Sequence, residues 1–198
     1  MSRYLLEAFL QVVILIPFSL FFIKALTKGN LLRILFFALI FIVYQIMLIL
    51  PKLAQVFNFI GGNWNWDGKI FGILFGMICY FVFRKFFSEN DFFTFRQEKK
   101  NFKKTLIVAI SSVLLVTLIA SFTGSSEFDG ETLAFQITMP GIDEEIMFCG
   151  ILLGLLATAL KEKINFLGNP AVLLTSVLFG FIHAFTLDKN FSLGFEPI

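Results

Sequence analysis

Residues 140–156 read PGIDEEIMFCGILLGLL and set Asp143, Glu144 and Glu145 side by side at the edge of an apolar run. Carboxylates resist entry into hydrocarbon, so charges at such a place are rare and tend to mark function. The chain has a single histidine, His183, in the stretch FGFIH at 179–183. Carboxylates and an imidazole are groups that exchange protons with a reacting water. Taken one at a time they also have plainer readings. Glutamates in the first turn of a helix are favoured by its dipole, and a buried histidine can simply bridge two helices.

What brings these residues together is the element pattern. A membrane span needs about 20 mostly apolar residues, and six stretches qualify: 5–27, 31–51, 69–88, 104–123, 142–160 and 170–187. Lone strands cannot satisfy their backbone groups in lipid, so each is expected to be helical. The expected fold class is therefore all-α, a polytopic transmembrane helix bundle of about six spans. Pro17 is expected to kink the first span, and Gly29-Asn30 to close a tight loop before the second. Trp64 and Trp66 suit a headgroup-level loop. Asn169 and Pro170 mark the start of the last helix, as cap and first-turn residue. The polar stretch 88–104 is expected along the membrane surface and 121–132 as an acidic loop. Gly150 and Gly154 let a neighbouring helix approach closely. Residues 1–58 read as an N-terminal transmembrane hairpin and 59–198 as a helical core.

Composition supports a membrane protein. Of 198 residues, 58% are hydrophobic and only 15% charged, with 29 phenylalanines; soluble domains carry about 25% charged residues. A net charge of +2 gives no basis for nucleic-acid binding. Cys79 and Cys149 both fall within apolar runs and do not form a disulfide framework. Basic residues set the orientation. The segments joining spans 1–2, 3–4 and 5–6 hold twelve lysines and arginines, and the opposite side holds four, Arg3, Lys52, Lys69 and Lys189. The positive-inside rule then places the N-terminus outside. Glu144 and Glu145 are expected in the first turn of span 5 and His183 about one turn before the end of span 6, so all three should lie at one depth on antiparallel neighbours. Successive helical residues point about 100° apart, so only one glutamate can aim squarely at His183. Cys149, four residues after Glu145, shares its face. Ser176, Phe179, Gly180 and His183 form a small and polar stripe on span 6.

MPGIDEEIMFCGILL resembles the first motif, Glu-Glu-x-x-x-Arg followed by Gly, of the CPBP family of intramembrane proteases. That family includes CAAX-prenyl endopeptidases, bacteriocin-processing and self-immunity proteins and Abi-type membrane proteins. Glu144, Glu145 and Gly150 match, and Phe179 to His183 match the second motif, Phe-x-x-x-His. NWDGK at 65–69 resembles the region upstream of the motifs in bacterial members. The resemblance covers about residues 60 to 198. It implies a hydrolase acting inside the bacterial plasma membrane on a membrane-associated peptide or protein, in contact with lipid. Catalysis would fall to Glu144 as general base, Glu145 as orienting group and His183 as holder of the water or oxyanion, with Cys149 and Phe179 supporting them. Family members have been described both as metalloproteases and as metal-free glutamate proteases. Zinc is thus the candidate cofactor, with Glu144 and His183 as candidate ligands and Glu145 and Cys149 as further donors. Two departures stand out. Cys149 occupies the position of the motif arginine, and the third motif, His-x-x-x-Asn, has no counterpart, which reads as a C-terminally truncated member. A catalytically degenerate interaction or immunity protein is the alternative expectation.

Overall fold

The computed structural model describes residues 2–86, 99–123, 129–165, 167–188 and 191–195. The chain divides into a larger unit, 1–92 with 131–198, and a smaller one, 93–130. The smaller unit is essentially one apolar helix, α5 (Phe102–Thr123). The polar stretch expected along the membrane surface lies mostly outside the described residues, as does the middle of the expected acidic loop.

In the larger unit the first expected span is two helices, α1 (Ser2–Val13) and α2 (Leu15–Phe21). Pro17 has no N–H to bond the carbonyl of Val13, four residues back, and the break falls there. After α2 the chain is extended and pairs with the end of the fifth span: Lys24 N–H donates to Ala159 O and Lys161 N–H to Phe22 O, both at 3.0 Å. The loop before the second span corrects the expectation of a Gly29-Asn30 turn. Thr27 caps α3 (Lys28–Leu53), its hydroxyl accepting from Asn30 N–H, so Gly29 and Asn30 are already helical. At about 1.5 Å per residue the 26 residues of α3 exceed a hydrocarbon core of about 30 Å. Phe37, Phe41 and Tyr44 on α3 are fully buried and form the centre of the unit.

The third span is α4 (Trp66–Phe83), which buries Gly68, Gly72 and Gly76 at four-residue intervals. This stripe lets α3 and the fifth span pack closely against it, the small-residue logic of membrane interfaces. The last span, α8 (Pro170–Ala184), is capped as expected, with Asn169 Oδ1 accepting from Ala171 N–H at 2.8 Å and Val172 N–H at 3.3 Å. It ends three residues early. Phe185–Leu187 forms a strand, β1, paired antiparallel with β2 (Leu193–Phe195), so the helical bundle carries one short hairpin.

The fifth span departs most from expectation. A helical run covers 130–159, as α6 (Gly130–Glu144), a π-helical segment (Glu145–Leu152) and α7 (Leu153–Ala159). Glu144 and Glu145 therefore lie in mid-helix, not in a first turn, and the helix-dipole account of their presence no longer applies. Among the described residues, three helices are long and apolar enough to cross a membrane: Arg3–Phe21, Lys28–Leu53 and Trp66–Phe86. The chain is a helical membrane protein.

Candidate active site

The loop before α4 is fastened to the start of α6. Glu131 accepts from the backbone N–H of Asn63 at 3.0 Å and from the indole N–H of Trp66 at 3.1 Å. The Trp64 indole donates to Thr132 Oγ1 at 2.8 Å and stacks on Phe135, with centroids 5.0 Å apart. From within α4, Asp67 accepts from Phe59 and Ile60 N–H and closes the loop. These bonds set the register between α4 and α6, and the register brings Lys69, one turn into α4, to the acidic row.

Lys69 Nζ lies 2.9 Å from Asp143 Oδ2 and 2.9 Å from Glu144 Oε1. Asp143 is fully buried, and Tyr44 donates to the same Oδ2 at 2.6 Å. Buried charges persist where they are paired and hydrogen-bonded, and this aspartate has a cation and a phenol on one oxygen. Its other oxygen, Oδ1, is buried and has no hydrogen-bond partner among the described residues. It sits against Gly72, where a side chain would collide with it.

Glu144 also borders a cavity of about 320 Å³ between the π segment and α8. From the first motif, Glu145, Phe148 and Cys149 line it; from α8, Thr175, Ser176 and Phe179 do so. The π turn shapes this wall. The N–H of Leu153 bonds to Phe148 O, five residues back, and such widened turns are frequent at functional sites. Glu145 is exposed and lines the cavity together with Cys149, as their shared face predicts. Phe148 meets Phe179 edge-on, centroids 5.3 Å apart, and Phe179 meets the His183 ring edge-on at 4.6 Å.

The structure thus gathers Glu144, Glu145, Cys149 and Phe179 on one cavity and leaves His183 one turn further along α8. His183 is exposed, is not a lining residue and, among the described residues, makes no hydrogen bond or ion pair. Gly180 is exposed beside it. Among the described residues no three of His, Cys, Asp and Glu converge as a metal-binding group. A zinc site needs about three protein ligands. Glu144 is engaged by Lys69 and His183 lies off the cavity wall, so these residues do not fit zinc, and no step is assigned to a metal.

The sequence sets Asp143 among the three carboxylates but carries no local signal that pairs it with Lys69 and Tyr44. Lys69 opens the expected third span, and a cation at the entry of an apolar run is a signal of internal pairing. Asp143 was overshadowed by the two glutamates that follow it.

The family model described as type II CAAX prenyl endopeptidase Rce1-like matches residues 131–195. No curated protein and no solved structure matches the chain. Residues 131–195, about a third of the chain and holding both glutamates, Cys149 and His183, are thus similar to the Rce1-like type II CAAX prenyl endopeptidases, a match consistent with a CPBP-family protease.

Proposed function

We propose that the chain is a membrane-embedded endopeptidase that cleaves a membrane-associated peptide or protein by carboxylate-activated water. The observation that carries this reading is the cavity inside the Rce1-like segment, walled by both motif glutamates on one side and by Phe179 of the second motif on the other. Its mixed wall of phenylalanines, hydroxyls and carboxylates suits an extended backbone flanked by apolar side chains. A water between Glu144 and the scissile carbonyl gives a proton to Glu144 as its oxygen adds to the carbonyl carbon. His183 stands off the cavity wall against Phe179, and its ring N–H steadies the oxyanion only after the side chain turns toward the cavity. Collapse of the intermediate breaks the C–N bond, and the proton on Glu144 passes to the leaving amine. Glu145 and Cys149 hold the near wall. The distribution of basic residues between the two sets of loops supports an N-terminus on the outer side.

The test is cleavage of a fluorogenic membrane peptide by the full chain in nanodiscs. Wild type cleaves, and Glu144→Gln abolishes turnover while the protein still folds. The second reading, a membrane interaction protein with no turnover, draws on Cys149 at the arginine position and on the Lys69–Glu144 ion pair, which together make the acidic cluster a helix lock. Equal inertness of wild type and Glu144→Gln, with the variant destabilised, would favour that lock.

A further inference from the structure

We infer that Lys69 is the positioning residue of the motif glutamate Glu144, supplying from α4 the positive charge that the motif of this chain lacks. The inference rests on the endopeptidase reading. Three carboxylates stand in sequence at 143–145, and the position where the resemblance expects arginine is the neutral Cys149. The cation set against them comes from a different helix, with its ammonium 2.9 Å from both Asp143 and Glu144.

The two contacts have different characters. Asp143 is the anchor. It is fully buried, and its Oδ2 is held by the Tyr44 hydroxyl as well as by Lys69. Its Oδ1 is confined by Gly72, three residues after Lys69 on α4. A lysine so anchored is no flexible surface cation; its side chain is 14% exposed. Its second bond reaches Glu144, which is 20% exposed and borders the cavity. That bond takes Oε1 alone. Among the described residues Oε2 takes no hydrogen bond, and it is the oxygen able to address a water.

The brace also acts on a different member of the pair. A residue at position 149 shares the face of Glu145, and both line the same cavity. Lys69 instead holds Glu144. Glu145 keeps the open cavity wall, and Glu144 keeps the fixed geometry a proton acceptor needs. Misplacing such a group by about 1 Å can cost about 100-fold in rate.

The experiment uses the full chain in nanodiscs and the fluorogenic membrane peptide. Lys69→Met is expected to lower kcat by about 100-fold with KM within about twofold, and Lys69→Arg to recover most of the loss. A purely structural lysine would show parallel losses in folded fraction and activity for both variants, and that result overturns the inference. So does a folded Lys69→Met with wild-type kcat. If wild type itself does not cleave, the endopeptidase reading fails and isotope-edited infrared spectroscopy decides the role of Lys69 alone. A protonated-carboxyl band that appears in Lys69→Met at neutral pH, and vanishes on adding Glu144→Gln, supports charge compensation at Glu144. No new band, or one that survives Glu144→Gln, overturns it.

Discussion

The phenol of Tyr44 donates to Oδ2 of Asp143 at 2.6 Å, a bond between residues 99 positions apart that ties the middle of the second span to the first motif. Both groups are buried, and the acceptor is a carboxylate shared with Lys69. Removing one donor from a buried charged acceptor costs about 1–3 kcal/mol. Tyr44→Phe should therefore destabilise the protein by that amount without altering side-chain volume much. Reversible unfolding in mixed micelles measures it. In a double-mutant cycle Tyr44→Phe and Asp143→Asn should be strongly non-additive; additive losses would mean that the bond carries no coupling.

Gly72 and Gly76 occupy the same stripe of α4 but face different neighbours. A side chain at Gly72 would meet Asp143 Oδ1, with Tyr44 Cε2 at 3.0 Å and Leu48 Cδ2 at 3.2 Å. At Gly76 it would meet the Ile146 methyl Cγ2 at 2.6 Å. A methyl group on a rotatable side chain can move; a carboxylate held by Tyr44 and Lys69 cannot do so without breaking its bonds. Gly72→Ala should cost more than Gly76→Ala, the latter falling in the range of about 1–3 kcal/mol typical of overpacking. Thermal unfolding of the two variants in the same detergent ranks them, and the reverse order would contradict the held carboxylate.

The contrast between helix stripe and polar partner also explains what the sequence yields. Long apolar runs give α3, α4, α5 and α8 to within a few residues, because hydrocarbon permits little else. The Asn169-Pro170 cap is read directly, since a cap is a local interaction. Glu145 and Cys149 fall together because both ride on one helical face. The helical run from 130 to 159 begins twelve residues before the span expected from 142, because residues 130–141 lack a long apolar run and tertiary bonds through Glu131 sustain the helix there. Lys69 and Tyr44 are missed for a different reason: hydrogen bonds across 74 and 99 positions leave no periodic signal. The placement of His183 outside the cavity wall follows from side-chain direction at the end of α8, which spacing alone cannot give.

Gln11 on α1 is buried and donates to the carbonyls of Phe181 at 3.4 Å and Phe185 at 3.3 Å, which bracket His183. One turn earlier, Glu7 accepts from Leu187 N–H at 3.4 Å. The first helix, itself outside the segment that matches the family model, thus holds the end of α8 and strand β1 in place. Gln11→Leu should lower stability by roughly 0.6 kcal/mol, the average for interhelical bonds in membranes. Its larger effect should be local. Amide exchange at Phe185 and Leu187 is expected to speed up at least several-fold while α3 stays protected. Uniform acceleration through the bundle would show that Gln11 supports the whole fold instead of this end.

Cys149 and Cys79 provide a test of which face the cavity opens to. Cys149 is exposed and lines the cavity, and Cys79 is buried on α4. With Lys69 drawn into the acidic cluster, the side proposed as outer keeps Arg3, Lys52 and Lys189 as loop cations against twelve basic residues on the other. A cavity near the outer face predicts that a membrane-impermeant maleimide labels Cys149 in intact cells. The Cys79→Ser variant should label like wild type and Cys149→Ser should not label at all. Bulk added at Cys149 should also fill the 320 Å³ space and stop turnover of the fluorogenic peptide. Labelling that appears only after the cells are opened would place the mouth on the cytoplasmic side, where prenylated proteins reside, and would reverse the orientation read from the loop charges.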